Sequence, residues 1–157
     1  MAVLVVIDMQ TGFTSSGHPK LIQEVISLIN DFKRRHQPIF LVEFRYSWYG
    51  KTHKSILDVL QGYKRLIRVY KYDNDGSIQV IKAWKRAGLS LDKEFLICGV
   101  NASYCVRETA EGILKELQDD VIVRLVRRAT NCEDNSIGSG AKRMGYAWAK
   151  GSGILLA

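Results

Sequence analysis

Val3-Leu4-Val5-Val6-Ile7 is an unbroken apolar run that stops at Asp8. A strand with one face in water alternates apolar and polar residues, whereas a strand covered on both faces does not. This run, and Phe95-Leu96-Ile97-Cys98 after it, therefore predict strands inside a sheet that is layered on both sides. Working outward, the spacing predicts strands over residues 2–7, 38–44, 65–70, 94–100, 121–126 and 154–156. Between them the apolar period lengthens to three and four residues. Leu21, Val25, Ile29 and Phe32 mark a helix entered through Pro19. Ile78, Ile81 and Trp84 mark one over 77–87 that ends at Gly88, and Val106, Ala110, Ile113 and Leu117 mark one over 103–117. Weaker helical patterns fall at 56–60 and 141–150.

Joining parallel strands takes a helix-length crossover, so strand–helix alternation predicts a parallel sheet. The expected fold is α/β: a single domain over 1–157, doubly wound and Rossmann-like, with a six-stranded parallel sheet and helices on both faces. A chain of 157 residues, 46% hydrophobic and 25% charged, excludes a disordered tail, a collagen-like fibre and a disulfide-stapled mini-protein. No apolar run approaches the ~20 residues of a membrane helix. Cys98, Cys105 and Cys132 show no CxxC spacing and no basic leader precedes the first strand, which predicts free thiols in a reducing, cytoplasmic compartment. The net charge of +7 is spread along the chain. Its densest cluster, Lys33-Arg34-Arg35-His36, falls at a helix end, where cations complement the helix dipole. The charge therefore reads as a solvated surface, and neither nucleic acid nor a membrane is an expected partner.

In doubly wound sheets ligands sit beyond the carboxyl ends of the strands. The residues there are Asp8 and Gln10, then Arg45 and Tyr46, then Lys71, then 101–105, then 128–131. This set holds a carboxylate, an ammonium and a thiol, the groups of nucleophilic catalysis. A thiol with its ordinary pKa of ~8.5 needs a base or a positive field to attack. Asp8 is a candidate proton acceptor for Cys105, Lys71 a candidate to hold both charges, and the start of the helix favours an anion at the sulfur. Each member alone has a plainer reading: a buried filler, a turn former, a surface cation.

Leu96-Ile97-Cys98-Gly99-Val100-Asn101-Ala102-Ser103-Tyr104-Cys105-Val106-Arg107-Glu108-Thr109-Ala110 resembles the nucleophile motif of the isochorismatase-like cysteine hydrolases, relatives of nicotinamidases and N-carbamoylsarcosine amidohydrolases. Val5-Val6-Ile7-Asp8-Met9-Gln10-Thr11-Gly12-Phe13 is similar to that family's first strand and Asp-x-Gln-x-x-Phe signature, and Val69-Tyr70-Lys71 to its catalytic-lysine segment. The resemblance covers residues 1 to about 126. It implies Asp8, Lys71 and Cys105 as catalytic residues, Gln10, Phe13 and Tyr104 as residues shaping the pocket, and a cis peptide between Val100 and Asn101 that aims amides, with that of Cys105, at an oxyanion. It also implies dimers or larger assemblies, here a homodimer or homotetramer.

Departures from the family pattern narrow the expectation. Relatives that cleave the vinyl ether of isochorismate do not use the cysteine, so Cys105 points to amide or ureido substrates. Nicotinamidases in the family bind a metal through an Asp-x-His pair and a further His after the second strand. Phe44-Arg45-Tyr46-Ser47-Trp48-Tyr49 stands there instead, so no metal and no other cofactor is expected. Arg45, Tyr46 and Trp48 form a clamp for a carboxylate-bearing small molecule, or else Tyr46 and Trp48 line an inter-subunit contact. His53 reads as a loop histidine before a pocket wall. Arg128, after the expected fifth strand, adds positive charge that would suit an anionic ligand. The segment 136–143 reads as a connection into a helix, not a phosphate-binding loop. The expected function is a metal-independent cysteine hydrolase cleaving a C–N bond of a small amide or carbamoyl compound through a thioester. The alternative is a non-catalytic ligand- or partner-binding protein of the same fold.

Overall fold

The computed structural model describes residues 1–89, 93–132 and 148–157. Its strands are β1 (Ala2–Ile7), β2 (Ile39–Phe44), β3 (Leu66–Lys71), β4 (Lys93–Gly99), β5 (Val121–Thr130) and β6 (Leu155–Leu156). All pair in parallel in one six-stranded sheet, in the order β3-β2-β1-β4-β5-β6. The helices are α1 (Pro19–Arg34), α2 (Lys54–Leu60), α3 (Ser77–Arg86), α4 (Arg107–Leu117) and α5 (Ala149–Ser152).

The two-sided burial expected of the opening run is present: residues 3–7 are all fully buried. Val3, Val5 and Ile7 join Phe40, Val42 and Phe44 in a core completed by Trp84 of α3 and Ala110 and Ile113 of α4. Leu4 and Val6 join Ile39 and Leu41 on the opposite face, under Leu21, Val25, Ile29 and Phe32 of α1 and Ile56 and Leu60 of α2. The fold is doubly wound. The chain builds outward from β1 to β2 and β3, then returns to place β4 on the other side of β1. That reversal opens a crevice beyond the carboxyl ends of β1 and β4. No helix among the described residues is long and apolar enough to cross a membrane.

Three expected boundaries move. β5 runs to Thr130 rather than 126, because a register shift between Ile97 and Gly99 lets Gly99 pair with Thr130. Arg128 is thus inside a strand, and its Nε pairs with Glu24 of α1 at 3.0 Å instead of adding charge to the rim. The helix expected over 103–117 begins as a π-helical turn, Ala102–Val106, before α4. Of the helix expected over 141–150, residues 141–147 lie outside the described residues, as does the segment 136–143; the chain there is helical over Ala149–Ser152.

Gly99 has φ +114°, and a Cβ on it would stand 2.0 Å from the Ile7 carbonyl oxygen. Both steric terms forbid a side chain where β4 closes on β1. Gly99→Ala is expected to destabilise the protein by ~2–5 kcal/mol. Gly17→Ala, with nothing within 4 Å, is expected to stay within ~0.5 kcal/mol. Urea unfolding of both variants checks the contrast.

Candidate active site

The sheet brings three distant side chains to one rim. Asp8 follows β1 with φ +52°, leaving the strand direction while its N–H still donates to the Val42 carbonyl at 3.0 Å. Lys71 ends β3 on the same face as Val69, the face of α3 and α4. Cys105 sits in the π-helical turn that follows β4. Lys71 Nζ lies 3.0 Å from Asp8 Oδ2, and both side chains are fully buried. The Cys105 thiol lies close enough for both charges to act on it, while its own hydrogen bond goes to Asn74.

Lys71 is held from several directions. Its Nζ donates to the Asp73 and Asn74 carbonyls at 3.0 and 3.1 Å and stands 3.5 Å from the centre of the Phe44 ring. Gly76 leaves room for the stem, since a Cβ there would sit 3.0 Å from Lys71 Cδ. Burial raises the Asp8 carboxyl to about 6, against the pull of Lys71 and Cys105. Burial, then the Asp8 charge, pushes the Cys105 thiol up to about 12. The resting sulfur is therefore a neutral thiol, its Sγ 3.7 Å from Asn74 Oδ1. The helix terminus does not hold a thiolate here, because desolvation outweighs it.

The peptide Val100–Asn101 is cis. The Asn101 carbonyl accepts from the N–H groups of Tyr104 and Val106 at 3.1 Å each, which folds the π-helical turn back on it. Asn101 Oδ1 accepts from the Ser15 hydroxyl, Ser15 O accepts from Asn131 Nδ2 at 2.7 Å, and Asn131 O accepts from the Ala102 N–H at 3.0 Å. This polar bracket ties the ends of β4 and β5 to the loop after β1. Tyr104 is half exposed on the outer side of the turn.

Aromatic rings wall the rim beside Lys71. Phe44 and Phe13 both stack on Tyr49, with centroids 4.6 and 4.7 Å apart. Tyr46 stacks on Trp48 at 4.5 Å, and Tyr72 meets Tyr46 edge-on at 5.9 Å. Phe44, Tyr46, Trp48, Tyr49 and Tyr72, with Asp73, Asn74 and Glu108, line a pocket of about 380 Å³, and Phe13 backs Tyr49 from outside it. Gln10 does not face that pocket. Its Oε1 accepts from the Phe44 N–H at 2.8 Å, and its Nε2 donates to the carbonyls of Phe44 and Gly50 at 3.2 and 2.8 Å. The side chain acts as a piece of β-ladder that sets Phe44. Arg45 turns the other way: its guanidinium lies 4.9 Å from the centre of the Tyr70 ring, in an adjoining cavity that shares Phe44 and Tyr46 and is also lined by Gln10, Glu43 and Arg68. It does not form the carboxylate clamp expected with Trp48.

The site does not offer a metal its usual donors. The segment after β2 supplies rings and a guanidinium, and His53, half-buried, has its Nε2 2.8 Å from the Ser16 hydroxyl. Among the described residues no three His, Cys, Asp or Glu side chains gather as a donor set. Sequence reading passed over Phe44, Asn74 and Ser15 as site residues, and reached Asn131 only as one of the positions after the fifth strand. Their only signal was position, directly at a strand end or in the loop beyond it.

No family model and no curated protein matches the sequence. Solved structures do match. The nicotinamidase SaPncA from Staphylococcus aureus superposes with a TM-score of 0.79 at 14% identity, over 99% of this chain and 97% of that one. MAR1 ribonuclease from Caenorhabditis elegans gives 0.80 at 18% identity, over 99% and 76%. The YcaC gene product from Escherichia coli, an octameric hydrolase of unknown specificity, gives 0.76 at 18%, over 99% and 74%. These likenesses establish the isochorismatase-like fold. A fold shared by a nicotinamidase and a ribonuclease does not by itself name a reaction.

Gln10→Ala leaves the buried Phe44 N–H without its partner. It is expected to lower stability by about 2–4 kcal/mol, read as a lower urea midpoint at unchanged m-value.

Proposed function

We propose that this chain, on its isochorismatase-like fold, is a cysteine hydrolase that cleaves the C–N bond of a small amide or carbamoyl compound through a thioester. The observation that carries this reading is the meeting of Asp8, Lys71 and Cys105 at the switch point of the sheet. A neutral thiol beside an ionised carboxylate is suited to attack in which the proton leaves as the bond forms. Cys105 Sγ adds to the carbonyl carbon while Asp8 takes the thiol proton. The oxyanion is met by the N–H groups of Asn101 and Cys105. The C–N bond then breaks, and the leaving nitrogen takes the proton from Asp8. Water next attacks the thioester, Asp8 accepts a proton from it, and the sulfur leaves with that proton to restore the thiol. The products are ammonia or an amine and the carboxylic acid; a carbamoyl substrate gives a carbamate.

Lys71 keeps Asp8 ionised in a site that would otherwise neutralise it. No step is assigned to a metal, because the donor set at the segment after β2 does not fit one. The reading places the protein in a reducing compartment such as the cytoplasm, with Cys98 and Cys105 buried as free thiols. It also places it in a homodimer or homotetramer, and the structural relative YcaC is octameric.

Cys105→Ala is expected to lose at least ~10³-fold in kcat while keeping the native unfolding curve within ~1 kcal/mol, since one small buried side chain replaces another. Mass spectrometry of the wild type with a slow amide should show the acyl adduct on Cys105. An unmodified Cys105 and undiminished turnover in the variant would remove the mechanism; an inert protein throughout favours the binding-module alternative. Because Asp8 must be ionised to accept a proton, kcat/KM is expected to rise with pH and reach half its plateau near pH 6. Asp8→Asn should cost ~10²–10⁴-fold. A flat profile between pH 5 and 8 would refute the assignment of the base.

A further inference from the structure

We infer that the aromatic pocket beside Cys105 is a subsite for a cation, so that the substrate carries an alkylammonium group next to its scissile amide. The inference rests on the amide-hydrolase reading and specifies its substrate class. The pocket meets the reacting groups through Asn74, whose Oδ1 faces the Cys105 thiol, and through Phe44, whose ring faces Lys71. Its volume of about 380 Å³ suits a small molecule.

Two independent features select charge. The first is the rings. Tyr46 and Trp48 are stacked within 9° of parallel, and Tyr72 stands at 78° to Tyr46, giving two walls of a corner. Ring faces carry negative quadrupole and attract cations, quaternary ammonium above all. The second is the sign of the lining. The chain carries 23 Lys and Arg against 16 Asp and Glu. Yet no Lys or Arg lines this pocket, while Asp73 and Glu108 do. Among the described residues neither carboxylate has an ion-pair partner. The ammonium of Lys71, behind Phe44 and the Asp73 and Asn74 carbonyls, is paired with Asp8, and Arg45 is turned onto Tyr70. A basic protein has thus left one acidic aromatic corner beside its buried thiol.

The test uses three amides of similar size: 2-(trimethylammonio)acetamide, its neutral isostere 3,3-dimethylbutanamide, and the anionic succinamate. Binding is measured by calorimetry on Cys105→Ala protein, which separates affinity from chemistry, and ammonia release is measured on the wild type. The cationic amide is expected to bind at least about tenfold more tightly than its isostere. That preference should shrink in Trp48→Ala and in Glu108→Gln, which keeps an acceptor for the Asn74 amide. Equal binding of the first two amides, tighter binding of succinamate, or no binding of the cationic amide overturns the subsite. Equal hydrolysis of all three leaves the hydrolase standing and removes the subsite. Selective binding without ammonia release from any amide leaves the subsite standing and removes the hydrolase.

Discussion

A lysine and an aspartate, both fully buried and 3.0 Å apart, set the terms for the rest of this molecule. Taking two charges from water costs several kcal/mol per ion unless each meets its opposite and further polar partners. The end of β3 and the end of β1 therefore have to stay in register through β2, which lies between them. The loop after Lys71 adds two carbonyls, and Phe44 adds a ring face. Once that pair is in place, any thiol beside it experiences a carboxylate that can take a proton and an ammonium that steadies the result. The chemistry of the rim follows from an electrostatic necessity of the fold.

The aromatic wall is built from the same constraint. Gln10 sits two residues beyond Asp8 and spends both ends of its amide on the backbone of Phe44 and Gly50. The chain segment that delivers the carboxylate thereby also fixes the ring over the lysine. On the other side, the bracket of Ser15, Asn101 and Asn131 joins the loop after β1 to the turn that carries the cysteine. The carboxylate, the ring and the turn that bears the thiol are thus all tied to one short loop, residues 8–16.

Much of this was legible in the amino acids. Runs such as Val3–Ile7 that never alternate can only be covered on both faces, and that fact with the intervening helical periods yields the sheet and its winding. The strand ends then offer Asp8, Lys71 and Cys105 among other positions, and the motif resemblance singles out those three. Periodicity could not show where a side chain turns after its strand stops. Arg45 and Tyr46 are neighbours in sequence, yet the guanidinium lies over Tyr70 while the phenol stacks on Trp48. Gln10 lines the cavity beside Arg45, but that its amide also holds the backbone of Phe44 and Gly50 has no mark in one dimension. Arg128 looked like a rim residue because a register shift in β4 and β5, which lengthens the strand, leaves no compositional mark. The raised state of the Cys105 thiol likewise depends on burial, which no local pattern reports.

The grip of Gln10 on Phe44 makes the inner end of the pocket stiff, whereas Trp48 and Tyr72 at its lip are mostly in solvent. Tolerance should therefore be graded along the ligand. Near the sulfur, a misfit of one atom meets walls that cannot yield. Toward the mouth, the exposed flanks of Trp48 and Tyr72 leave space in which a change of bulk meets water rather than packed protein.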